Sequence, residues 1–217
     1  MSESSHTHHG QPVLATGAPL QSATAAMILI HGRGATAESI LSLAAELSQP
    51  GFACLAPQAA ANTWYPYSFL QPLEANEPHL SSALAVIAAL VEHVNAAGVP
   101  TDKIVILGFS QGACLALEFA ARNAQRFGGV IAFSGGLIGP DGISRDYAGS
   151  LAGTPVFIGC SDVDFHIPVQ RVQHSTAILQ QLGGEVTERI YPGMGHTVNE
   201  DEINFARALI APLGAAE

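Results

Sequence analysis

Apolar residues in this chain come in short blocks set between longer amphipathic stretches. The blocks Ala26–Ile30, Phe52–Ala56, Lys103–Leu107, Gly129–Phe133, Pro155–Gly159 and Val186–Tyr191 have the length of strands. The stretches between them predict helices at Ala37–Ser48, Leu80–Ala97, Ala113–Ala121, Val169–Leu182 and roughly Glu200–Ile210. Thr36 and Asn199 are placed to cap two of these, while Gly98 with Pro100, and Gly183-Gly184, stop two others. Gln11–Ala15 predicts a short edge strand, reversed at Gly17-Ala18-Pro19. Strands apolar on both faces belong to a parallel sheet covered by helices. Their regular alternation with helices gives an α/β sandwich with right-handed crossovers. The chain shows no internal repeat and no dividing linker, so 11–217 is expected to form one domain behind a loose tail over 1–10. The gap Pro57–Pro78 is too long for an ordinary connection, and such gaps commonly border active sites.

One junction in this pattern carries chemistry. The block ending at Leu107 runs straight into Gly108-Phe109-Ser110-Gln111-Gly112 and then into a helix. That is a G-x-S-x-G nucleophile elbow in its strand–turn–helix context. Asp162 and Asp164 follow the block Pro155–Gly159, and His196 follows the last strand in Pro192-Gly193-Met194-Gly195-His196. All three sites fall at strand carboxyl ends, where sheets of this kind place their chemistry. An alcohol is a poor nucleophile until a base takes its proton, and the base must be held in the right tautomer by an acid. The order Ser…Asp…His is that of the α/β-hydrolases. His31, His166 and His174 are weaker competitors for the base. His31 is expected to brace the glycine loop after it. The oxyanion donors are expected to be the backbone N–H of Gln111, after the nucleophile, and that of Arg33 in His31-Gly32-Arg33-Gly34.

Composition narrows the alternatives. The formal net charge is −10 and Lys103 is the single lysine, so no basic face exists for nucleic acid. No apolar run reaches the length of a membrane span. The start of the chain lacks the apolar core and basic flank of a secretory signal, and its histidines His6, His8 and His9 are read as tail residues. Cys54, Cys114 and Cys160 show no metal-ligand spacing and fit buried thiols in a reducing compartment. Neither a P-loop nor a dinucleotide fingerprint is present. A non-catalytic binding protein on this scaffold would be marked by loss of the serine or the base, and both are retained.

Four stretches taken together resemble the phospholipase/carboxylesterase family of α/β-hydrolases, which includes small esterases and acyl-protein thioesterases. They are Leu29-Ile30-His31-Gly32-Arg33-Gly34, Gly108-Phe109-Ser110-Gln111-Gly112-Ala113, Phe133-Ser134-Gly135-Gly136 and Gly193-Met194-Gly195-His196. The resemblance implies an α/β-hydrolase fold without a large lid domain, with Ser110 as nucleophile, His196 as base and Asp164, ahead of Ile167-Pro168, as acid. It maps the oxyanion donors to Arg33 and Gln111. It implies a cytoplasmic bacterial carboxylesterase acting on a small-molecule ester and able to pair as a homodimer, and since Ser-His-Asp chemistry needs neither, no cofactor and no metal are expected. The alternative substrates are thioesters and lysophospholipids. The chain departs from the pattern in its acid loop, Cys160-Ser161-Asp162-Val163-Asp164-Phe165, and in Gly-Arg-Gly where thioesterases commonly have Gly-Leu-Gly. Trp64, Tyr65, Leu137 and Phe165 are the expected walls of an apolar acyl or aryl pocket, the competing reading being that they cap the core.

Overall fold

The computed structural model describes residues 7–214 except Ser48. The first part of the expected tail, residues 1–6, and the last residue of the helix expected over Ala37–Ser48 therefore lie outside the described residues, as do 215–217. Seven strands form one sheet: β1 (Val13–Gly17), β2 (Ala25–Ile30), β3 (Phe52–Pro57), β4 (Ile104–Phe109), β5 (Gly129–Phe133), β6 (Pro155–Ser161) and β7 (Glu185–Tyr191). Their order is β1-β3-β2-β4-β5-β6-β7. Only the exposed edge strand β1 runs antiparallel, pairing Val13 with Pro57 and Gly17 with Ala53. Among the described residues, five α-helices cover the sheet: α1 (Ala37–Leu47), α2 (His79–Ala96), α3 (Gln111–Arg122), α4 (Val169–Gln181) and α5 (Glu200–Gly214).

The period of two along a strand divides the core. In β2, Ala26, Ile28 and Ile30 face one layer, which holds the apolar residues of α2, α3 and α4. Ala25, Met27 and Leu29 face the other, formed with α1 and α5. Each buried Leu or Ile contributes roughly 1.5–3 kcal/mol of transfer free energy, which explains why a strand buried on both faces shows no polar alternation. Helix α2 is long and apolar enough, by composition, to cross a membrane. In this fold its Leu80, Ala83, Ile87, Leu90, Val91 and Val94 are buried in the first layer.

The chain's direction across the sheet reverses between β2 and β4. From β2 it steps to β3 on one side, and β4 then lies on the other. The loops leaving β2 and β4 part there and leave a crevice beyond the strand ends. The expected loose tail is corrected at its described end. His8 is buried; its backbone N–H donates to Ser82 Oγ at 3.0 Å. Its Nε2 lies 2.9 Å from the Trp64 carbonyl, and its Nδ1 accepts from the Ala60 N–H at 3.1 Å. Sequence patterning missed this because one histidine in a polar stretch has no period to betray its burial.

Candidate active site

The elbow is built by close approach. A Cβ on Gly108 would overlap the Gly112 carbonyl, and one on Gly112 would overlap the Ile30 carbonyl, so only glycine fits either place. Ser110 between them takes φ 55° and ψ −117°. This left-handed geometry costs a residue with a side chain about 1–3 kcal/mol and is held by the surrounding structure. The Ser110 N–H donates to Phe133 O at 2.9 Å, and Ser110 O accepts from Cys114 N at 3.0 Å as α3 begins. The serine thus stands half-buried at the N-terminus of α3, where the helix dipole favours negative charge.

The structure brings Ser110, His196 and Asp164 together. Ser110 Oγ lies 2.8 Å from His196 Nε2, and His196 Nδ1 lies 2.7 Å from Asp164 Oδ2. A carboxylate only accepts, so Nδ1 carries the proton toward Asp164 and Nε2 is left to accept from the serine hydroxyl. The other oxygen, Asp164 Oδ1, accepts from the backbone N–H groups of His166 at 2.8 Å and Ile167 at 3.1 Å. Burial pushes the Asp164 carboxyl up, but the hydrogen bonds from His196 and the His166 and Ile167 amides outweigh it and hold it below its ordinary value. The neighbouring Asp162 turns away and accepts from the Gly193 N–H at 2.7 Å. Ser161 Oγ accepts from Gly195 N at 2.9 Å, so the acid loop also holds the loop that carries the histidine. His166 stacks edge-on against His196, with ring centroids 4.7 Å apart. His174 lies within α4.

Among the described residues, the backbone N–H groups of Arg33 and Gln111 have no acceptor. Their loops are fixed by other bonds. Gly34 N donates to Asn62 O at 2.7 Å. His31 Nδ1 donates to Gly32 O at 2.8 Å while its Nε2 accepts from Ala59 N at 3.1 Å, a neutral ring bracing the loop. Burial lowers the pKa of His31 in keeping with that neutral form. The Gln111 side chain is a partner that sequence reasoning missed. Its Oε1 accepts from Trp64 N at 2.9 Å and its Nε2 donates to Tyr65 O at 2.8 Å, which pins the long loop to the elbow. Its place inside the G-x-S-x-G stretch was the one available signal.

A cleft of about 620 Å³ opens over Ser110, with Tyr65, Phe69, Phe109 and Ile167 among its apolar walls. Of the four expected pocket residues, Tyr65 lines it. Trp64 and Leu137 are fully buried in the core instead. Trp64 faces inward because its Nε1–H donates to His31 O at 2.9 Å, and Leu137 because its N–H donates to Ser175 Oγ at 2.9 Å. Phe165 is 81% exposed and stacks on His166 outside the cleft. Cys114 lies at the cleft floor, but burial pushes its thiol up to about 12, so it is no rival nucleophile. All three cysteines are free and buried. Among the described residues, no group of three His, Cys, Asp or Glu is placed to hold a metal ion.

A mostly parallel sheet, an elbow serine after β4 at its switch point, and an acid and a histidine on the loops after β6 and β7 define an α/β-hydrolase. The chain belongs to the phospholipase/carboxylesterase family, whose model matches residues 12–213. It is 45% identical to a solved phospholipase/carboxylesterase from Dyadobacter fermentans DSM 18053, with a TM-score of 0.90 over 93% of this chain and 97% of that one. It is 25% identical to the solved esterase PE8, with a TM-score of 0.75 over 92% and 96% of the two chains. Over 151 residues it is 26% identical to a probable carboxylesterase SOBER1-like protein of Arabidopsis thaliana, which covers 68% of this chain and 57% of that protein. Over 127 residues it is 28% identical to acyl-protein thioesterase 1 of Gibberella zeae, covering 56% and 52%. The chain spans about half the length of the curated relatives it matches.

Proposed function

We propose that this chain is a serine carboxylic-ester hydrolase that works through an acyl-enzyme on short or medium acyl or aryl esters. The observation that carries this reading is the hydrogen-bonded relay from Ser110 Oγ through His196 to Asp164 at the cleft floor. Ser110 Oγ bonds to the ester carbonyl carbon while its proton passes to His196 Nε2. The carbonyl oxygen becomes an anion facing the backbone N–H groups of Arg33 and Gln111. On collapse the ester C–O bond breaks, and His196 returns the proton to the leaving alcohol. Water then attacks the acyl-enzyme by the same route and frees the acid. Asp164 stays ionised throughout and steadies the imidazolium.

A fluorophosphonate probe should label Ser110, and Ser110→Ala should lose nearly all turnover while keeping the wild-type melting temperature. Labelling at another residue, or wild-type rates in the alanine variant, would reject the assignment. A second reading, hydrolysis of thioesters or lysophospholipids by the same residues, is favoured by the match to acyl-protein thioesterase 1. p-Nitrophenyl esters of rising chain length, run beside acyl thioesters and lysophospholipids, separate the two.

A further inference from the structure

The cleft over Ser110 carries an unneutralised cation in an otherwise acidic protein. The chain's formal net charge is −10, yet no Asp or Glu lines the cleft, whereas Arg33 does. Among the described residues, Arg122 and Arg145 pair with Glu118, Arg171 with Asp141, and Arg189 with Asp201; Arg33, like Arg126 and Arg207, pairs with no carboxylate, and of these three only Arg33 lines the cleft. Its guanidinium is held in place by neutral groups. Nη1 donates to Pro66 O at 2.9 Å and Nη2 to Tyr67 O at 2.7 Å, and the group lies 5.9 Å from the centre of the Tyr65 ring. Two carbonyls orient the fork without cancelling its charge, and its remaining N–H donors are left for a ligand. A second cavity of about 360 Å³ abuts the cleft at Gly32, Ala35, Phe109 and His196 and is walled by Ile40, Leu43 and Val198. Ser110 thus lines the cleft that holds Arg33, and the smaller apolar cavity begins beside it at Phe109 and His196.

We propose that the site selects esters bearing a carboxylate near the scissile carbonyl, with the Arg33 side chain as the group that recognises it. The charged part of the substrate lies in the larger cleft and the uncharged part in the smaller cavity. This proposal rests on the serine-esterase reading and adds a substrate class to it. A planar guanidinium matches a carboxylate through paired N–H donors, and removing one partner of such a contact weakens binding strongly.

The test compares mono-p-nitrophenyl glutarate with its methyl-capped diester on the full chain, with spontaneous hydrolysis subtracted. The expected result is a kcat/KM about tenfold higher for the acid, expressed in KM and shrinking as salt rises. Arg33→Met should bring the acid-to-diester ratio to about one, and Arg33→Lys should keep part of it. Arg33 also holds the Pro66–Tyr67 turn, so binding is measured separately. Ser110→Ala should bind monomethyl glutarate in calorimetry, and Ser110→Ala with Arg33→Met should not. A wild-type ratio at or below one, a ratio insensitive to salt, or a ratio unchanged in Arg33→Met would overturn the proposal. If wild type hydrolyses neither ester, the esterase reading falls, and the titration on Ser110→Ala still decides whether the cleft takes the anion.

Discussion

Asp162 and Asp164 lie two residues apart in one loop and do different work. Asp164 faces His196 with one oxygen and two backbone amides with the other, while Asp162 holds Gly193. Asp164→Asn should lower kcat by about 10⁴-fold, because an amide in that place favours the wrong imidazole tautomer. Asp162→Asn should leave the relay in place and cost about 1 kcal/mol of stability through a weaker bond to the Gly193 amide. Steady-state kinetics and urea midpoints on the two variants check this, and an inactive Asp162→Asn beside a near-normal Asp164→Asn would reverse the assignment. The residue types of this site were legible in the sequence because each follows a strand in a short local motif. The roles of the two aspartates were not settled by residue type. They depend on which way each side chain turns, and that is fixed by partners about thirty residues further along the chain: the Gly193 amide for Asp162 and the His196 ring for Asp164.

At the scale of elements, two buried titratable groups hold segments in place, and they respond to pH in opposite senses. Asn199 and Glu202 form a reciprocal cap on α5, with Glu202 N donating to Asn199 Oδ1 at 2.9 Å and Asn199 N to Glu202 Oε2 at 2.8 Å. Burial pushes the Glu202 carboxyl up from 4.5 to about 7. A raised carboxyl stabilises the fold fully below its unfolded value and loses that contribution as pH rises through the folded value. Glu202→Gln, which keeps the cap, should therefore gain stability over wild type between pH 4.5 and 7, by on the order of 2–3 kcal/mol at the upper end. Denaturant midpoints at pH 4 and pH 8 test it, and equal differences at both would refute it. His8 works the other way. Burial lowers its pKa below 6.5, so its contribution is present above that value and is lost as pH falls. His8→Ala should flatten the loss of stability below pH 6.5 in melting curves while lowering stability at neutral pH, since the Ala60 amide and the Trp64 carbonyl lose their partner. The caps at Thr36 and Asn199 were readable from sequence because capping is local. Thr36 Oγ1 does accept from Ser39 N at 3.1 Å. The docking of His8 was unreadable because its partners lie 52 to 74 residues away.

For the whole molecule, the proportions of the site set the expected substrate profile. A cleft of about 620 Å³ with a cavity of about 360 Å³ beside it has wall for a limited acyl chain. Each buried CH₂ should add roughly 0.8 kcal/mol of binding until the wall ends. The plot of log kcat/KM against acyl length should thus rise and level off early. A steady climb through the longest p-nitrophenyl esters would support the lysophospholipid and thioester reading. The sequence by itself determined the strands, the helices, the α/β class and the Ser…Asp…His order, with Asp162 and Asp164 both open as the acid. Burial on both faces of a parallel sheet, helix caps and the crowded glycine elbow all leave their mark within a few residues. Only the tertiary structure decided which aromatic residues wall the cleft. Within the irregular span Pro57–Pro78 no period tells inward from outward. Trp64 is drawn into the core by His31, Tyr65 is set at the cleft through Gln111, and Arg33 is aimed by the carbonyls of Pro66 and Tyr67. Phe165, apolar and next to the acid, faces solvent because the Asp164 carboxylate binds the amides that follow and turns the chain outward. Those directions come from hydrogen bonds between distant segments, and a linear pattern of apolar and polar residues carries no record of them.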